Sequence, residues 1–213
     1  MGVQALRANI PEFKMKLYVG FESTWSLRAW ICAHIAGLEF ETIVLPLNGK
    51  DYKSHLISTT KTGLVPALVF KNTFVSDSLA IAEYLNEVSK GSLYPRDIND
   101  RAVARSLVCE LHSGFFNLKN NMPFSNSNVA PVNINKEIKR EVERLEIIFS
   151  KAQTDYMFAK PTVVDAFYSI LAFRLNAYGV TLSGKAGKYQ RSLLNWSLLN
   201  KAIEESVGWD SND

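Results

Sequence analysis

The sequence predicts an α/β unit with a mixed four-stranded sheet, followed by an all-helical bundle. Three observations carry this. Every strand signal falls before residue 91, and the elements up to there run β-α-β-α-β-β-α. Beyond Gly91-Ser92-Leu93-Tyr94-Pro95-Arg96, only helical periodicity remains.

Lys16-Leu17-Tyr18-Val19 reads as the first strand and Gly20 to Thr24 as a turn. From Trp25, apolar residues at Leu27, Trp30, Ile31, Ile35 and Leu38 keep helical spacing, and Gly37 stops the helix. Glu41 to Leu45 is the next strand, and Asp51 to Ile57 is a short, weakly patterned helix. Ala67–Phe70 and Thr73–Val75 flank the polar turn Lys71-Asn72 and form a hairpin. Ser76-Asp77-Ser78 then caps a helix patterned on Leu79, Ile81, Ala82 and Leu85. Only the parallel β-α-β part needs a right-handed crossover. The order is thioredoxin-like.

In the second half, Asn99 to Leu118 is helical and Met122 to Asn133 is an Asn-, Ser- and Pro-rich loop. Ile134, Ile138, Val142, Leu145 and Phe149 mark an amphipathic helix. Thr162-x-x-Asp165 reads as a capping box opening a further helix through Tyr168, Leu171 and Leu175. Shorter helices follow near Ala186–Trp196 and Leu198–Val207. Trp30, Phe167 and Phe173 sit at core spacing. The expected division is a leader or tag over residues 1–14, an N-terminal domain over 15–90, a linker over 91–96 and a helical domain over 97–213.

With 213 residues, 47% hydrophobic, the chain has material for a sizeable core. A net charge of +3 without a Lys/Arg run argues against nucleic acid as partner. Cys32 and Cys109 fit no metal spacing and no disulfide framework, which points to a reducing cytoplasm and no metal cofactor. No apolar stretch reaches the roughly 18 residues that a membrane span needs.

Two motifs carry chemistry. The first is Val65-Pro66-Ala67-Leu68 ahead of the hairpin. An X-Pro bond is the one peptide bond where cis is cheap. A cis bond here would present the N–H and C=O of Val65 to an extended peptide. Asp77 and Ser78 follow at a helix N-terminus, where amides and the helix dipole attract a carboxylate. The second motif is Ser23-Thr24-Trp25-Ser26-Leu27-Arg28, in the turn where a thioredoxin-like protein places a dithiol. Hydroxyls replace both sulfurs, so a reactive sulfur must come from the substrate. Lowering a thiol pKa by two units from about 8.5 needs about 2.7 kcal/mol. A hydrogen bond to a charged group contributes roughly 1.5–3 kcal/mol and a helix end roughly 0.3–1. One well-aimed hydroxyl therefore suffices.

Val65-Pro66-Ala67-Leu68 with Asp77-Ser78-Leu79-Ala80-Ile81-Ala82-Glu83-Tyr84-Leu85 resembles the glutathione site of cytosolic glutathione transferases. Ser23 to Trp30 and Glu110 to Phe115 resemble a bacterial, zeta-like, serine-type branch. The resemblance implies glutathione as co-substrate, conjugation to a small electrophile, and a homodimer. Ser23 takes the place of the thiol-activating serine; Thr24 is the fallback in the same turn, and Ser26 a further one. Val65 would pair with the cysteinyl backbone, with Pro66 holding the cis geometry. Ser78 would take the γ-glutamyl carboxylate and Asp77 the ammonium, where the family often has Gln or Glu. Lys53, His55 and Lys61 are candidates for the glycyl carboxylate. His112 and Phe115 would line the electrophile pocket between the domains, with Tyr178 and Arg174 as further candidates. Arg28 is either an electrostatic helper or the partner of a surface acid. Two alternatives remain: a glutathione-dependent isomerase of the maleylacetoacetate type, and a non-catalytic module that keeps the fold.

Overall fold

The computed structural model describes residues 14–48, 50–125 and 129–210. The expected leader, apart from Lys14, and residues 126–128 of the expected Met122–Asn133 loop lie outside the described residues.

The N-terminal domain opens with β1 (Met15–Val19), α1 (Thr24–Ile35), β2 (Phe40–Val44) and α2 (Tyr52–Thr60). It closes with β3 (Ala67–Phe70), β4 (Thr73–Ser76) and α3 (Ser78–Val88). The sheet order is β2-β1-β3-β4. β1 runs parallel to β2, with Leu17 opposite Thr42, and antiparallel to β3, with Leu17 opposite Leu68. The β3–β4 hairpin keeps Leu68 opposite Val75. This is the predicted mixed sheet. Leu17, Leu68, Leu27, Ile31, Ile81 and Leu85 are fully buried and join the sheet to α1 and α3.

The C-terminal domain is helical: α4 (Ile98–Ser113), α5 (Phe116–Asn121), α6 (Lys136–Phe149), α7 (Val163–Ala177), α8 (Gly184–Leu194) and α9 (Ser197–Val207). The expected single helix from Asn99 to Leu118 is broken. Gly114 leaves the helix with φ −132° and ψ −163°, and a Cβ built there would stand 2.7 Å from the Glu110 carbonyl oxygen. Phe115 follows in the left-handed region, φ 56° and ψ 37°. The apolar period runs through the break because Phe115 and Leu118 are both buried. That is why the sequence pattern does not reveal it. Across this corner, Arg144 of α6 donates from Nε and Nη2 to both carboxylate oxygens of Glu110, at 2.6 and 2.8 Å. That pairing holds the Glu110 carboxyl below the ordinary range.

α7 is the buried axis of the second domain. Its N-terminus carries the expected capping box. Thr162 Oγ1 accepts from the Val164 N–H at 3.3 Å, and Asp165 Oδ2 accepts from the Thr162 N–H at 2.8 Å. Asp165 also accepts from the Met157 N–H and the Tyr189 hydroxyl, so this buried acid joins α7, α8 and the preceding loop.

α1 links the two domains. Ser26 to Ala33 are all buried, and the helix packs against α3 on one side and against α7 and α9 on the other. Among the described residues no helix is long and apolar enough to cross a membrane.

Candidate functional site

The turn after β1 sets the first part of the site. Ser23 is the N-cap of α1, with φ −83° and ψ 100°, and its Oγ accepts from the Ser26 N–H at 3.2 Å. A capping hydroxyl accepts through a lone pair, and its own O–H proton stays available to a further acceptor. Ser26 is fully buried, and its Oγ accepts from the Gly20 N–H at 3.3 Å, tying helix to strand end. Thr24 is buried in the first turn. Of the three residues, Ser23 lines the cavity that Tyr52 and Lys53 also bound, and Thr24 and Ser26 do not.

The segment before β3 sets the second part. Gly63 has φ +70°, a conformation that suits glycine, and it delivers Leu64 and Val65 to the surface. The Val65–Pro66 peptide is cis, as the sequence led us to expect. The main-chain N–H and C=O of Val65 take part in neither the sheet ladder nor the turn and cap bonds among the described residues.

The third part is the N-terminus of α3. Asp77 is its N-cap and adopts φ 78° and ψ 134°, a region non-glycine residues seldom occupy and one that clusters at functional sites. Its Oδ1 accepts from the N–H groups of Leu79 and Ala80, at 2.8 and 3.3 Å. Its Oδ2 faces His112 Nε2 at 3.2 Å, so α4 of the second domain reaches the cap of α3. The Ser78 hydroxyl is buried and has no partner, and the same holds for His112 Nδ1. A buried polar atom left unpaired is costly, and such atoms mark places built for a ligand or water.

Two cavities meet over these residues. One, of about 330 Å³, is bounded by Val65, Pro66, Asp77, Ser78, Trp25 and His112, among others. The other, of about 530 Å³, is bounded by Ser23, Tyr52, Lys53, Gly63, Leu64 and Val65, among others. Thr62, Leu64 and Val65 line both, so the two cavities adjoin along that segment. The structure thus brings Ser23, Val65, Pro66, Asp77, Ser78 and His112 together. It does not bring Phe115 there: that ring is only 6% exposed and packs in the core. Of the three candidate cations, Lys53 borders the larger cavity, whereas Lys61 lies over the Phe74 ring and His55 is on the exposed face of α2.

Sequence reasoning missed Trp25, Leu64 and Lys119. Trp25 forms the wall facing the second domain. His112 meets it edge-on at 5.1 Å, and the Arg28 guanidinium and Lys119 ammonium lie 4.4 and 5.2 Å from its centroid. Arg28 is not paired with a surface acid. It is 2% exposed, between the Trp25 and Phe167 rings, and its Nε and Nη1 have no partner. Arg174 donates to the carbonyls of Lys119 and Met122 and so fixes the end of α5. Tyr178 donates to the Pro123 carbonyl at 3.1 Å.

Residues 22–88 match the family model for the glutathione S-transferase N-terminal domain. That match runs from the turn before α1 to the end of α3. The chain is 39% identical to glutathione S-transferase Z1 of Arabidopsis thaliana over 109 residues, which is 50% of this chain and 49% of that one. It is 31% identical to maleylacetoacetate isomerase of Rattus norvegicus over 113 residues, 50% of this chain and 51% of that one. The chain thus spans about half the length of the curated relatives it matches. Over 92% of its length it superposes with TM-score 0.70 on a glutathione transferase homologue from Burkholderia solved with bound glutathione, covering 99% of that chain at 21% identity. The transferase fold therefore extends through the helical domain as well.

Proposed function

We propose that this protein is a glutathione transferase that binds the tripeptide across the two adjoining cavities and joins its sulfur to a small electrophile. The observation that carries this reading is the order of groups along the two cavities. Asp77 and the unpaired Ser78 hydroxyl stand at one end, the unused main-chain groups of Val65 in the middle, and Lys53 at the other end. γ-Glu-Cys-Gly needs that sequence of partners. Asp77 answers the ammonium and Ser78 the α-carboxylate. Val65 pairs with the cysteinyl N–H and C=O, and Lys53 answers the terminal carboxylate.

Ser23 is the thiol-activating group in this reading. Its O–H donates to the sulfur while its lone pair holds the Ser26 N–H at 3.2 Å, which fixes the direction of the proton. The thiol proton leaves to solvent, the thiolate forms the new C–S bond, and the leaving group departs with its electron pair. Proximity and thiolate stabilisation supply the rate. The protein would act as a cytoplasmic homodimer, with the electrophile entering beside Trp25 and His112. Calorimetric titration with glutathione tests the reading: binding near millimolar or tighter is expected, and no heat would favour a non-catalytic module.

A second reading, glutathione-dependent isomerisation, has support from the likeness to the rat maleylacetoacetate isomerase over half the chain. Turnover of maleylacetone would favour it; inertness toward that compound beside active conjugation removes it.

A further inference from the structure

The cavity that Ser23 borders offers more apolar wall than the end of glutathione can use. In the transferase reading this cavity, of about 530 Å³, receives the sulfur and the terminal glycine, while the smaller one, of about 330 Å³, receives the γ-glutamyl arm. Glycine has no side chain to bury. Yet Phe21, Leu47, Leu56, Ile57 and Leu64 all border the larger cavity, and among the described residues its charged neighbours are Glu22 and Lys53 alone. Leu56 is buried, whereas Ile57 and Leu64 stand 59% and 68% exposed. Ile57 lies against the turn before β3: a Cβ built on Gly63 would stand 3.0 Å from its Cγ1.

The spacing on α2 relates these groups. Lys53, Leu56 and Ile57 stand at i, i+3 and i+4, so they share one helix face, with Cβ atoms about 5–6 Å apart. A carboxylate held by Lys53 therefore brings the carbon that bears it within a side chain's length of Leu56 and Ile57. We propose that this part of the cavity reads the C-terminal residue of the thiol peptide, and that it accepts γ-Glu-Cys-X in which X carries an apolar side chain. The inference rests on the transferase reading and on the terminal carboxylate lying at Lys53. It names the class of thiol co-substrate and assigns Leu56 and Ile57 as the residues that set it.

The test is calorimetric titration with reduced γ-Glu-Cys-Gly and reduced γ-Glu-Cys-Leu, the latter made with L- and with D-leucine at its end. At least one leucine peptide is expected to bind roughly tenfold more tightly than glutathione, as partial burial of an isobutyl group allows. Ile57→Ser, at an exposed position, is expected to bring that ratio close to one. Glutathione binding as tightly as both leucine peptides, or more tightly, overturns the proposal and leaves the transferase reading standing. A ratio that Ile57→Ser leaves unmoved does the same. Binding of none of the three peptides overturns both. If the variant fails to fold, the wild-type ratio alone decides.

Discussion

His112 of α4 and Asp77 at the cap of α3 meet across the two domains, Nε2 to Oδ2 at 3.2 Å. The other oxygen of Asp77 holds the first amides of α3, so one carboxylate fixes a helix end and an interdomain contact together. In the proposed complex it also answers the γ-glutamyl ammonium. Asp77→Asn keeps a good capping side chain and removes the charge. Glutathione affinity is expected to fall roughly 10- to 100-fold, the loss of one charge-assisted hydrogen bond. Calorimetry reads the affinity; a denaturant melt shifted by only a small amount separates binding from folding.

Ser23→Ala removes both the cap and the donor aimed at the sulfur. Conjugation of a model aryl halide is expected to slow by roughly 10- to 100-fold with glutathione affinity little changed. The pH at which the bound thiol ionises, followed by ultraviolet absorbance, should move upward. Thr24→Val leaves both readouts near wild type, because Thr24 is buried away from the two cavities.

Asp165→Ala strikes folding and spares chemistry. It leaves the Met157 and Thr162 N–H groups and the Tyr189 hydroxyl without their acceptor in the core. The expected loss is about 3–5 kcal/mol in a urea or thermal melt, as for other broken buried networks. Burial outweighs the donors and lifts this carboxyl above its ordinary value. Its own contribution to stability is therefore fullest in acid and declines as pH rises through the folded-state pKa.

Lys119 predicts a pH effect on stability with a definite sign. Burial, then the charges of Arg28 on α1 and Arg174 on α7, lower the Lys119 ammonium from 10.5 to about 8, against the opposing pull of Glu141 on α6. Below about pH 8 the folded protein keeps the charge. Between about 8 and 10.5 it releases a proton that the unfolded chain retains, so this group makes stability rise with pH over that interval. Urea melts between pH 7 and 10.5 should show that rise in the wild type and a smaller one in Lys119→Met. Burial, then the charge of Arg174, lowers the Arg28 guanidinium to about 9, so it adds to the same trend at the top of the range.

The fold was legible in the sequence because its signals are local. Thr162 and Asp165 announce a helix start by chemistry alone, Gly37 a helix end, and Lys71-Asn72 a tight turn. The break at Gly114 was hidden because burial continues through it on Phe115 and Leu118. Phe115 was expected at the cleft from its place beside His112, but its left-handed backbone turns it into the core. Lys119 gave no signal at all: it reaches Trp25 only because the chain turns at that corner. Arg28 reads in one dimension as a surface residue, and its burial follows from α7 packing over it.

α1 has no free flank. The helix whose first turn bears Ser23 spends its middle, Leu27 to Ala33, filling space between the sheet unit and the bundle. A chimera that kept one domain and borrowed the other from a distant relative would leave Arg28 and Trp30 facing a surface never shaped to receive them. The two halves are thus bound to drift as a matched pair, and the reactive end of the site inherits its steadiness from residues that touch no substrate.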